Sequence, residues 1–147
     1  MTAAFLAKAI VTAIAGGQGI APVFIDLNST HVTNPLWTGH ARFHLVQQAF
    51  TLLPAAAIEL ALLWYPGAAF HARFYLAALL TATSLAGFLV AVIARPLYGG
   101  TLHDPNGMKP LPLRIGSRLV VFDLNVPIVL LAAALLLGAV LLFWLRA

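Results

Sequence analysis

The chain contains no cysteine, which excludes a disulfide framework and any thiolate metal site. Charge is nearly as scarce. Four Asp/Glu and eight Lys/Arg make up 8% of the 147 residues, where a soluble domain carries about 25%. Hydrophobic residues reach 62%, against roughly 45–50% in soluble domains, and the mean hydropathy is +0.97. That balance excludes an ordinary water-soluble globule. The high sequence pI of 10.1 does not point to nucleic acid as a partner. The bases are scattered at the ends of apolar segments, where Lys and Arg anchor a chain at a membrane boundary. A convincing small-residue cleavage site is also lacking behind the first apolar segment, which is punctuated by Gly16-Gly17-Gln18-Gly19. The expectation is a retained first helix, not a removed signal peptide.

What is present is apolar length. A helix crossing a bilayer needs about 20 apolar residues, and four segments supply them, at 4–25, 40–65, 70–94 and 118–144. The reading is an all-α polytopic membrane protein, one four-transmembrane-helix bundle over 1–147. In the first segment Gly16, Gly17 and Gly19 offer a flat surface for close helix contact, and no strand precedes them to make a phosphate loop. Pro22 and Pro54 predict bends.

The polar stretch 26–48, DLNSTHVTNPLWTGHARFHLVQQ, separates the first two spans and holds three of the five histidines. At about 100° per residue, His40, His44, Gln47 and Thr51 fall within an arc of about 60°, with Gln48 and Glu59 at its edge. A polar stripe on an apolar helix predicts a face turned to the bundle interior. Glu59 is expected to carry a proton or to be hydrogen-bonded to another helix. His71-Ala72-Arg73-Phe74 echoes His40-Ala41-Arg42-Phe43, and the second copy is read as an interfacial anchor.

Four spans put both termini on one side and loops one and three on the other. That second face gathers Asp26, Asn28, His31, His40, His44, His103, Asp104, Asp123 and Asn125. It also carries Arg42, Arg95, Lys109, Arg114 and Arg118, against Lys8, Arg73 and Arg146 opposite. The positive-inside rule then places loops one and three in the cytoplasm, with the bacterial inner membrane as the expected location. Several readings of these residues stay open. Asp26 either caps a turn or works with the histidines. His40 and His44, at i and i+4, suit metal ligation, proton transfer, or bonding to loop carbonyls. Arg42 and Arg118 are candidates to neutralise the aspartates.

The run THVTNPLWTGHARFH resembles a motif of small four-span proteins of bacteria and fungi, a resemblance that supplies no activity. The order FIDL, HLVQQ, a plain third span and FDLNVPIVLL is similar to the EXPERA superfamily, which includes the emopamil-binding sterol isomerase and the sigma-2 receptor. That resemblance implies a small helical bundle with a lipophilic pocket lined by a few acids and amides. It matches Asp26 to the acidic residue ending the first helix and Asn125 to an asparagine of the last. His44 and Gln48 fall where the superfamily has a glutamate and a nearby glutamine. The histidine in place of glutamate is a departure that changes the acid/base chemistry.

Together these readings predict a pocket for a lipophilic small molecule, opening near the loop-one/loop-three face. The leading expectation is a cofactor-free acid/base enzyme, isomerase-like, in which His44 moves a proton and Asp26 sets its tautomer. Asn28, His40, Gln48, Asp123 and Asn125 would contact the substrate. The alternative is a metal-dependent oxidoreductase ligating through His31, His40, His44 and His103. A third class is a non-catalytic binder or small transporter, for which Glu59 is the candidate group. The lipid bilayer is the surrounding partner, and a homodimer is left open.

Overall fold

The computed structural model describes residues 2–103 and 109–146. Four helices, α1 (Ala3–Ile25), α2 (Gly39–Trp64), α3 (Phe70–Tyr98) and α4 (Asn125–Arg146), are joined by short connections, with a hairpin of β1 (Leu111–Ile115) and β2 (Arg118–Phe122) between the last two. Each helix is long and apolar enough to cross a membrane. At a 1.5 Å rise, even the shortest, α4, reaches about 33 Å, against a hydrocarbon thickness of about 30 Å. The protein is therefore an all-α four-helix bundle of the integral-membrane class.

The helix ends follow from local chemistry. Thr2 and Thr38 are N-caps whose hydroxyls accept from the N–H of Phe5 and Ala41, at 3.3 and 3.2 Å. Gly99, in the left-handed region at φ 68°, ends α3, and the N–H of Gly100 donates to Arg95 O at 2.8 Å.

Two boundaries depart from the expected spans. The third helix continues past 94 to Tyr98, carrying Pro96 inside its last turn. The fourth begins at Asn125, not at 118, because Arg118–Phe122 pairs antiparallel with Leu111–Ile115 in the register Ile115↔Arg118 to Leu111↔Phe122. A five-residue apolar run is ambiguous between strand and helix. Here Gly116, at φ 61° in the first position of a two-residue turn, favours the hairpin. Asp123 then stops the strand, and its Oδ1 accepts from the N–H of Asn125 at 2.9 Å.

α1 packs against α2 and α4 and also touches α3 across the bundle. The core is built from Ala7, Val11, Leu63, Phe74, Ala77, Leu136 and Phe143 among others. Phe74 and Phe143 stack at 3.7 Å between centroids and 11° between planes. Of the three glycines expected to make close contacts, only Gly19 does. A Cβ there would lie 2.5 Å from Ala56 Cβ, whereas one at Gly16 or Gly17 would meet nothing within 4 Å. Leu97 and Ile93, 89% and 79% exposed, show where the apolar excess goes: outward, to lipid.

Candidate functional site

Loop one folds into a compact hydrogen-bonded unit around Asn28. Its Nδ2 donates to Phe24 O and Ile25 O at 3.0 and 2.8 Å, satisfying two carbonyls at the end of α1. Its Oδ1 accepts from the N–H and the hydroxyl of Thr30, at 2.8 and 2.7 Å. The same hydroxyl oxygen lies 2.8 Å from His31 Nδ1. The amide orientation of Asn28 is set by the two carbonyls. The one hydroxyl hydrogen of Thr30 must then go to Asn28 Oδ1, or two acceptors would face each other at 2.7 Å. It follows that His31 carries its proton on Nδ1 and donates to Thr30 Oγ1. His31 Nε2 is left facing Asp26 Oδ1 at 4.0 Å, beyond a direct hydrogen bond and within reach through one water.

Asp26 is the C-cap of α1, its N–H donating to Pro22 O at 2.9 Å. Partial burial pushes its carboxyl above the ordinary aspartate range, and His31 pulls weakly the other way. Among the described residues Asp26–His31 is the only pairing of opposite charge types within 4.0 Å. Asp26 therefore meets His31 and not His44. No arginine neutralises it: Arg42 donates to Asn34 O at 2.7 Å.

His40 and His44 bond to each other, Nε2 to Nε2 at 3.0 Å, with rings edge-on at 4.5 Å. One must donate while the other accepts. Both are exposed, as are Gln47, Gln48 and Thr51, so the stripe expected to face the interior is turned outward. The reason lies in what α1 and α3 need from α2. Its buried positions are Ala49, Ala56, Glu59 and Leu63, three of them small or aliphatic, and they admit close approach. At about 100° per residue, His40 and His44 lie roughly 100° or more from the centre of that buried face.

The remaining expected residues separate. Asp123 and Asn125 make the local bond that opens α4, and among the described residues neither side chain hydrogen-bonds to loop one. His103 is exposed, its backbone O accepting from Thr101 Oγ1 at 3.0 Å. Asp104 falls outside the described residues. Among those described, no three His, Asp or Glu side chains converge as a metal-ligand set.

One feature was not anticipated, and the contact to another helix expected of Glu59 finds its partner on α3. Asn34, read only as part of a turn, is fully buried, accepts from Leu36 N–H and donates to Thr30 O. Its Asn-Pro step marked a turn but gave no sign of burial. At mid-bundle, Glu59 (4% exposed) and Thr81 (0%) meet, Thr81 Oγ1 lying 2.5 Å from Glu59 Oε2. Gln18 Nε2 donates to Thr81 O at 3.3 Å.

A further concavity adjoins none of these groups. It is an apolar groove of about 450 Å³ between α3 and α4, lined by Tyr75, Ala82, Leu85, Leu89, Ala133 and Leu136 among others. It sits along the helix middles, not at the loop-one/loop-three face. No family model matches the chain, and neither the curated proteins nor the solved structures provide a match.

Proposed function

We propose that this integral membrane protein holds a lipophilic small molecule in the groove between α3 and α4. The groove's size and lining support this reading: about 450 Å³ lies within the roughly 300–1,000 Å³ typical of small-molecule sites. Alanines at 82, 86 and 133 keep the wall set back while leucines close it. Tyr75 contributes the one polar group, a hydroxyl suited to a single alcohol or carbonyl on an otherwise apolar ligand. The similarity of FIDL, HLVQQ and FDLNVPIVLL to the EXPERA superfamily points the same way, toward a sterol-like class of ligand.

Acid/base catalysis of the isomerase type is the second reading, favoured by the Asp26–His31 pair. In this form His31 replaces His44 as the proton carrier, with Thr30 fixing its tautomer. Placement in a bacterial inner membrane accords with helical spans, since the outer membrane is spanned by barrels. Loops one and three face the cytoplasm on the count of bases given above.

The test is a sterol bearing a photoreactive diazirine, incubated with the protein in liposomes and mapped by peptide mass spectrometry. Label concentrated on α3 and α4, and abolished by Ala82→Phe with Ala133→Phe, is the expected result. Label spread evenly over all lipid-facing helices and unchanged by those substitutions would mean ordinary annular lipid, and the reading would fall.

A further inference from the structure

The groove leaves unused the one carboxyl that, among the described residues, lies inside the bundle. Glu59 is 4% exposed on α2 and contacts α3 through Thr81, itself fully buried. Among the described residues no Lys, Arg or His lies within 4.0 Å of it. Lys8, the nearest base in chain order on α1, is held instead over the Trp64 ring, 4.0 Å from its centroid. A carboxylate without a counter-charge in such surroundings is costly.

The hydrogen positions bear on its state. Thr81 Oγ1 lies 2.5 Å from Glu59 Oε2 and 2.9 Å from Ala77 O. A hydroxyl has one hydrogen and serves only one of these acceptors. With a proton on Glu59 both contacts are satisfied in one chain, carboxyl to hydroxyl to carbonyl. With Glu59 ionised, Thr81 must turn to the carboxylate and abandon Ala77 O.

A cavity of about 70 Å³ opens beside the carboxyl between α1, α2 and α3, lined by Gln18, Thr83, Ser84 and Glu59 together with alanines and leucines. That volume accommodates about two waters, and the amide and hydroxyls supply the partners a water needs. Glu59 is the only titratable side chain on its wall.

We infer that Glu59, with Thr81 and Gln18, forms a proton-binding site inside the membrane, reached through the cavity between α1, α2 and α3. The site is separate from the α3–α4 groove and does not depend on what the groove holds. Its ligand is the proton itself, exchanged with water in the cavity.

The test uses dicyclohexylcarbodiimide on the full chain in liposomes across a pH series, with the adduct mapped by peptide mass spectrometry. The neutral carboxyl adds across one C=N bond: its proton goes to nitrogen and its oxygen to the central carbon. The O-acylisourea then rearranges to a stable N-acylurea without a leaving group. Expected is one adduct per chain, on Glu59, formed more slowly as pH rises, and absent in Glu59→Gln. No label on Glu59 at any pH, or labelling at one rate at every pH, would overturn the proposal. Should Glu59→Gln fail to fold, infrared spectroscopy of the unaltered protein decides. A protonated-carboxyl C=O band that moves in D2O supports an exchangeable proton, and no such band, or one that does not move, rejects it.

Discussion

Arg42 and Arg73 perform one task at opposite ends of the bundle. Arg42 Nη2 donates to Asn34 O at 2.7 Å, and Arg73 Nη1 donates to Tyr65 O at 2.7 Å, each reaching eight residues back along the chain. Arg73 Nη2 adds a second bond, to Gly67 O at 3.0 Å. The repeated His-Ala-Arg-Phe is therefore a loop clamp, an arginine in the first turn of a helix folded back onto the loop that precedes it. The expected anchor at Arg73 is more specific than a charge at an interface.

Removing either clamp should loosen its loop. Hydrogen bonds to charged donors contribute about 1.5–3 kcal/mol, so Arg42→Ala and Arg73→Ala should each cost about 2 kcal/mol in detergent melts. Lysine should restore much of the loss at Arg42, where one carbonyl is contacted. It should restore less at Arg73, where a fork spans two carbonyls. Equal rescue at both positions would contradict the two geometries. The clamps are at opposite faces, so their costs should add.

Gly19 should be the one intolerant member of its glycine cluster. A methyl group there meets Ala56 Cβ at 2.5 Å and Leu52 O at 3.2 Å, and a backbone cannot yield as a flexible side chain does. Gly19→Ala should destabilise the protein by about 1–3 kcal/mol, with partial rescue by Ala56→Gly. Gly16→Ala and Gly17→Ala should be neutral or stabilising by up to about 1 kcal/mol, since alanine is the better helix former. Thermal melts of the four variants decide it, and equal losses at all three glycines would refute the assigned contact.

The membrane class was legible because apolar length is a property of composition, and four runs of spanning length leave few other folds. The sequence also marked Asp26, the first-loop histidines and Glu59 as residues needing partners. It could not say which partners. His40, His44 and Thr51 share a helix face, yet a polar stripe near a helix end satisfies its groups in the interfacial region as readily as in the core. The buried face of α2 is instead decided by Gly19 on α1, which needs the small Ala56 opposite it. Arg118–Phe122 is a strand and not the start of the fourth span because the apolar run behind Arg118 has no period, and only its partner strand settles its form.

Asp26 gives a pH prediction with a definite sign. Its folded-state pKa is raised by burial, so the ionised form is disfavoured in the folded protein. The stability associated with its neutral form is present below the usual aspartate range near about 4 and is lost as pH rises through the folded value. Asp26→Asn, which cannot ionise, should therefore melt higher than the unaltered protein at neutral pH. The gap should close as the solution is acidified. A variant less stable at neutral pH would show that attraction to His31 outweighs desolvation.

Which histidine Asp26 works with is decided by coupling, not by proximity in sequence. The structure sets His31 Nε2 at 4.0 Å from Asp26 Oδ1 and ties its ring through Thr30 and Asn28 to the end of α1. His44 is bonded to His40 on the outward side of α2 and shares no hydrogen-bond partner with Asp26. Residues in one network couple by about 0.5–3 kcal/mol, whereas separated residues add to within about 0.3–0.5 kcal/mol. Asp26→Asn combined with His31→Gln should thus depart from the sum of its parts in a detergent melt. Asp26→Asn with His44→Gln should equal its sum. Supporting evidence should come from nitrogen-15 shifts, with His31 protonated at Nδ1 and that tautomer lost in Thr30→Val. Coupling to His44 with additivity at His31 would return the proton-transfer role to α2 and remove loop one from the acid/base reading.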